Sequence, residues 1–147
     1  MATVLAPLAG EIAPLDAVAD DVFAQRIMGD GVALHPHDAR ATAPLDGVIA
    51  KLFPGGHAFV VQSDEGVDVL VHLGLDTVHR AGAGFTTHVE EGERIAAGEV
   101  VVTVDLETLR ADGVDVTTPV VVISDHAIAW RAEGAVEGGA PLLALRV

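Results

Sequence analysis

The sequence predicts an all-β domain, a sandwich or barrel with short helical turns, and three observations carry that expectation. Short apolar runs recur along the chain. Gly, Pro and Asp punctuate them every ten residues or so. The best helical pattern is only about two turns long. The chain of 147 residues suits one domain, 1–147, with a core of its own.

The candidate strands, in order, are Val32–Leu34, Gly47–Phe53, His57–Gln62, Val67–Leu73, Thr86–Val89, Val100–Val104, Val116–Ile123 and Pro141–Val147. Several are apolar on both faces, as in VDVLVHL and EVVVTVD. Such runs imply sheets covered on both sides, or strands twisting between two cores. The stretch DDVFAQRIMGDG holds at most a turn of helix, and its Phe23, Ile27 and Met28 suit either an exposed apolar patch or ordinary core. The clearer helix starts at Asp105 as N-cap, runs through LETLRAD and stops at Gly113. HVEEGERIAAGEVVV spaces its glycines three apart from apolar residues, and GAVEGGAPLLAL and GVIAKLFPGG echo it. That spacing suits tight turns between short strands folding back on one another.

Composition excludes several function classes. Half of the residues are apolar, so the chain is not disordered. No apolar run is long enough to span a bilayer, and the N-terminus lacks the basic and apolar regions of a signal peptide. With no cysteine there is no disulfide, thiolate metal site or catalytic thiol. These features suit a cytoplasmic protein. The formal charge is −14, and Lys51 is the single lysine. Such a field repels nucleic acid and anionic membrane surfaces and favours a basic protein partner.

Two histidines stand in apolar, strand-like runs: His57 in FPGGHAFVV and His72 in VHLGLDTV. SDEG between them reads as a hairpin turn. In a symmetric loop centred between Asp64 and Glu65, His57 and His72 fall directly opposite each other on one face. A type I turn with Gly66 in a bulge instead shifts the register by one residue. The symmetric register is the expected one, because two polar groups in apolar strands cost less buried together than apart.

Two neutral imidazoles alone make a poor metal site. Acid–base work is open to them, though no carboxylate pair or serine accompanies them. A third use is one ring as nucleophile and the other as hydrogen-bonding support for the group transferred. A phosphoryl group suits that use, since its transfer asks chiefly for in-line approach and donors on its oxygens. The chain has no GxxxxGK[ST] loop, so the phosphoryl group would come from another protein.

These residues resemble a known family. HAFVV, GVDVLVHLGLDTV, the flanking APLDGVIAKLFP, GFTTHVEEGERIAAGEVVVTVD, TPVVV, VFAQRIMGDGVAL and LAPLAGEI closely resemble the glucose-type IIA component of the bacterial sugar phosphotransferase system, across nearly the whole chain. The resemblance implies a compact antiparallel β-sandwich and a phosphotransferase component needing no cofactor. It implies that His72 accepts a phosphoryl group from the phosphocarrier protein HPr and passes it to a IIB domain for sugar uptake. It further implies that His57 supports the phosphohistidine by hydrogen bonding. By the same resemblance, Asp76 is expected beside the site, where it would meet a basic partner residue, although an aspartate there also suits a turn cap. Phe23, Ile27, Met28 and Val78 are expected to form an apolar docking rim. Regulatory binding to transporters or metabolic enzymes also occurs in the family. One such contact bridges zinc between the two histidines and a partner carboxylate, which the sequence does not predict here.

This chain departs from the family pattern at Gly55, where a hydroxyl residue is usual. It begins almost at the first core strand, without the amphipathic tail of some members, and reads as a stand-alone subunit. His35-Pro36-His37 resembles a chelating pair but sits in a polar, proline-containing stretch expected to be a loop. His79, His88 and His126 are expected at the surface. Lys51 lacks the flanking methionines of a biotinyl or lipoyl hairpin tip. Two rival functions are a zinc hydrolase of related β-architecture, which needs a third ligand near His57 and His72, and a binding module without phosphotransfer.

Overall fold

The computed structural model describes residues 1–147. The strands are β1 (Ala2–Leu5), β2 (Gly10–Pro14), β3 (Asp30–Pro36), β4 (Arg40–Thr42), β5 (Gly47–Leu52), β6 (Ala58–Gln62), β7 (Asp68–His72), β8 (Phe85–Thr87), β9 (Arg94–Ile95), β10 (Val100–Val104), β11 (Thr118–Val122), β12 (Ile128–Arg131), β13 (Ala135–Val136) and β14 (Pro141–Leu145). Two short helices, α1 (Asp21–Ala24) and α2 (Leu106–Ala111), and three 3-10 turns complete the chain. An eight-stranded sheet runs β13-β2-β3-β11-β7-β6-β5-β9, and two three-stranded sheets run β1-β14-β12 and β4-β10-β8. Every pairing is antiparallel.

The doubly apolar runs have a direct structural reason. Side chains alternate across a strand, and the central strands of the large sheet feed two separate cores. Val32 and Leu34, Phe59 and Val61, Val69 and Val71, and Val120 and Val122 enter the main core. Ala33, Ala58, Val60, Leu70 and Val121 face the other way, into a smaller cluster closed by Leu15, Val18, Phe23 and Leu75. His72 follows Leu70 by two residues, so it continues the second face.

The helices end as their sequences dictate. Asp20 caps α1 by accepting from the Val22 N–H at 3.0 Å, and Asp105 caps α2 by accepting from the Thr108 N–H at 3.0 Å. Six short strands were not anticipated in the sequence: β1, β2, β4, β9, β12 and β13. His35 and Pro36 close β3 rather than lying in a loop, and the His35 ring meets the Thr117 hydroxyl at 3.3 Å.

The hairpin register differs from the symmetric one. Ala58 pairs with His72, Phe59 with Val71 and Gln62 with Asp68, one step from the expected alignment. The turn decides it. The Gly66 N–H donates to the Ser63 carbonyl at 3.0 Å and the Ser63 N–H to the Val67 carbonyl at 2.9 Å. Gly66 sits at φ 84°, the left-handed position of a type I turn with a bulge.

Candidate functional site

In this register a continued strand would put His57 on the face opposite His72. The backbone prevents that. His57 ends the 3-10 turn Pro54–Gly56 in a helical conformation, φ −72° and ψ −15°, before β6 begins. The strand alternation therefore does not reach it. Its ring turns to the face of His72, and the two ring centroids lie 5.4 Å apart at 70°. His57 and His72 thus face each other as expected, in a register one step from the expected one.

Each ring is fixed by a backbone carbonyl. His72 is the last residue of β7, and the chain turns at once so that the Gly74 carbonyl lies 2.6 Å from its Nδ1. His57 Nδ1 lies 3.2 Å from the Pro54 carbonyl. A carbonyl only accepts, so both Nδ1 atoms carry the proton and donate. Both Nε2 atoms are then unprotonated in the neutral rings. The only buried side-chain nitrogen or oxygen without a partner is Asp68 Oδ1. His57 Nε2, which has no protein partner, therefore reaches the surface although the residue is only 3% exposed.

Aromatic walls complete the site. The Phe23 ring lies 5.2 Å from that of His72, and Phe53 lies 5.6 Å from His57, edge-on. Burial lowers the pKa of His57, and the Pro54 bond only partly opposes it. Burial likewise lowers that of His72. The Gly74 bond opposes this, the neighbouring His57 adds to it, and the carboxylates of Asp20 and Asp76 pull weakly the other way. Both imidazoles thus stay neutral below the ordinary histidine range.

The surroundings sort into floor and rim. Phe23, expected on the rim, is a correction: it is 5% exposed and belongs to the smaller core beneath His72. Phe23 turns inward to join Ala33, Leu70 and Val121 on the second face of the large sheet. Ile27, Met28 and Val78 are exposed, Ile27 by 67%. Val22 is exposed as well and was missed. The Asp20 cap was the available signal, since it starts the turn and sets Val22 beside the inward Phe23. Asp76 is exposed and opens the 3-10 turn Thr77–Arg80 that carries Val78.

Gly55 has φ +85°, and a Cβ there would stand 2.7 Å from the Gly82 backbone nitrogen. The hydroxyl usual at this position has no room in this loop. No group of three or more His, Cys, Asp or Glu side chains is arranged to hold a metal ion. The third ligand of a zinc hydrolase therefore has no candidate beside the two histidines.

Comparison with known proteins agrees with this geometry. The family model for the phosphoenolpyruvate-dependent sugar phosphotransferase system, EIIA 1, matches residues 2–128. The chain is 44% identical over 119 residues to the PTS system glucose-specific EIICBA component of Streptococcus pneumoniae, a match over 81% of this chain and 16% of that protein. The solved glucose permease IIA from Mycoplasma capricolum aligns with a TM-score of 0.93 at 35% identity, over 97% of this chain and 94% of that one.

Proposed function

Because the chain belongs to the EIIA 1 family of the phosphoenolpyruvate-dependent sugar phosphotransferase system, we propose that it carries phosphoryl groups on His72. It takes them from phosphorylated HPr and hands them to a IIB domain. The names of its relatives point to a glucose-class sugar. The carrying observation is the pair of facing imidazoles, each held through Nδ1 by a backbone carbonyl.

The chemistry follows from that arrangement. His72 is partly exposed, so its Nε2 lone pair meets an incoming phosphorus in line. The Nε2–P bond forms as the bond between phosphorus and the donor breaks, and its electron pair leaves with the donor. His72 keeps its Nδ1 proton. The positive charge that then develops on the ring is stabilised by the Gly74 carbonyl at 2.6 Å. The second step reverses the first toward the IIB acceptor. The dianionic phosphoryl group favours the charged form of the adjacent ring, so His57 takes a proton from solvent at its open Nε2 and donates from there to a phosphoryl oxygen. The side chains supply every role, so transfer needs no cofactor. Asp76 offers a carboxylate to a basic partner residue, and Val22, Ile27, Met28 and Val78 give the partner an apolar seat. No helix is long and apolar enough to cross a membrane, and the reaction belongs to the cytoplasm, where HPr works.

Incubation with phosphoenolpyruvate, enzyme I and HPr tests the reading. Wild type is expected to gain an acid-labile, base-stable label that His72→Gln never gains. His57→Gln is expected to accept the label and to pass it to a IIB domain at least about 100-fold more slowly, the scale of one lost transition-state donor. A label that persists in His72→Gln overturns the assignment.

A further inference from the structure

We propose that Arg26 is a positioning residue that fixes the shape of the rim at Ile27 and Met28 and so sets how tightly a partner docks; this rests on the carrier reading above. The α1 turn ends in a Schellman arrangement. The Ile27 N–H donates to the Val22 carbonyl at 3.1 Å and the Arg26 N–H to the Phe23 carbonyl at 3.0 Å. Arg26 occupies the left-handed position of that motif, φ 55°, where glycine or asparagine is usual. A side chain tolerated in an unfavourable backbone region points to something that holds it there.

The guanidinium supplies the hold. Its Nη1 donates to Asp16 Oδ1 at 2.6 Å and its Nε to Asp30 Oδ1 at 2.9 Å. Asp30 opens β3, and its other oxygen is taken by Arg131 of β12. Asp30 also accepts from the Gly31 N–H at 2.8 Å. A chain of four charges therefore ties the turn after α1 to the 3-10 turn Leu15–Ala17, to the large sheet and to the β1-β14-β12 sheet. Ile27 and Met28 follow Arg26 directly and are exposed. The fork on Arg26 thus holds the backbone from which Ile27 and Met28 project, together with the Ile27 N–H bond to Val22.

Arg26→Gly and Arg26→Asn isolate the guanidinium, since both residues accept the left-handed backbone. Both variants are expected to keep the wild-type melting temperature or exceed it. In phosphoryl acceptance from phospho-HPr their KM is expected to rise about three- to five-fold, the range two exposed ion pairs supply, with kcat unchanged. Amide protection at Ile27 is expected to fall. Asp16→Asn, which leaves the backbone alone, is expected to give a smaller rise of the same kind. Simple charge predicts the opposite sign for the Arg26 variants, because a more acidic chain draws a basic partner more tightly. Unchanged or lower KM, with unchanged Ile27 protection, overturns the proposal. If wild type takes no label from HPr, the carrier reading falls. Ile27 protection in the free protein then decides the role of Arg26 alone, lost protection supporting it and retained protection overturning it.

Discussion

At the scale of single residues, the site is a device for keeping two imidazoles neutral and aimed. A free histidine has either tautomer open to it and titrates near pH 6.5. Here a carbonyl selects Nδ1–H on each ring, and burial lowers both pKa values. The sign of the linkage follows. Below pH 6.5 the unfolded chain gains protons that the folded chain refuses, so stability rises with pH across the window beneath 6.5. The contribution is intact above that value and is lost as pH falls toward the folded-state pKa values. NMR titration of the ring protons is expected to give midpoints for His57 and His72 below 6.5. His57→Gln is expected to flatten the acid limb of a stability–pH curve. A midpoint at or above 6.5 for either ring would mean that burial does not govern the site.

At the scale of elements, legibility was uneven for identifiable reasons. Fold class was readable because turn residues recur and because Val69, Leu70 and Val71 are each buried, on alternating faces. The short edge strands were not readable. Glu11–Pro14 shows no alternation, and β9 is two residues long. Register turned on one residue, Gly66, whose turn type the sequence offered as one of two choices. His57 stood out because a histidine in an apolar run is unusual, while its geometry depended on a helical ψ that alternation does not reveal. Phe23 was misplaced because an apolar residue in a polar stretch reads alike as rim or floor. The two roles separate in urea unfolding. Phe23→Ala is expected to cost about 3 kcal/mol, as for a buried aromatic, and Ile27→Ala under about 0.5 kcal/mol, as for a surface site. Equal costs would contradict the division drawn here. The loop before His57 gives a second expectation. Gly55→Thr, which restores the hydroxyl usual in the family, is expected to lower the melting temperature and slow phosphoryl donation rather than improve it. Its Cβ must displace the Gly82 backbone, and φ +85° is unfavourable for threonine. A faster or more stable Gly55→Thr protein would show that the loop relaxes freely.

At the scale of the whole molecule, charge organises what the residues and elements present. Eight cationic side chains stand against 22 acidic ones. Arg26, Lys51, Arg80, Arg94 and Arg131 are already engaged in internal ion pairs. Little positive charge remains to offset the field. Asp20 and Asp76 both act on His72 electrostatically, so the negative potential extends to that ring. A partner that delivers a phosphoryl dianion there must bring compensating positive charge, and its approach is then steered by the long-range field. The screening length shrinks from about 10 Å at 0.1 M salt to about 3 Å at 1 M. The kcat/KM for acceptance from phospho-HPr is therefore expected to fall several-fold over that range. Single-turnover kcat should change little, because in the docked complex the reacting groups are shielded from salt. Asp76→Asn is expected to lower kcat/KM at low salt and to make the salt dependence shallower. A salt-independent kcat/KM would mean that the apolar seat alone recruits the partner and that the acidity serves only solubility.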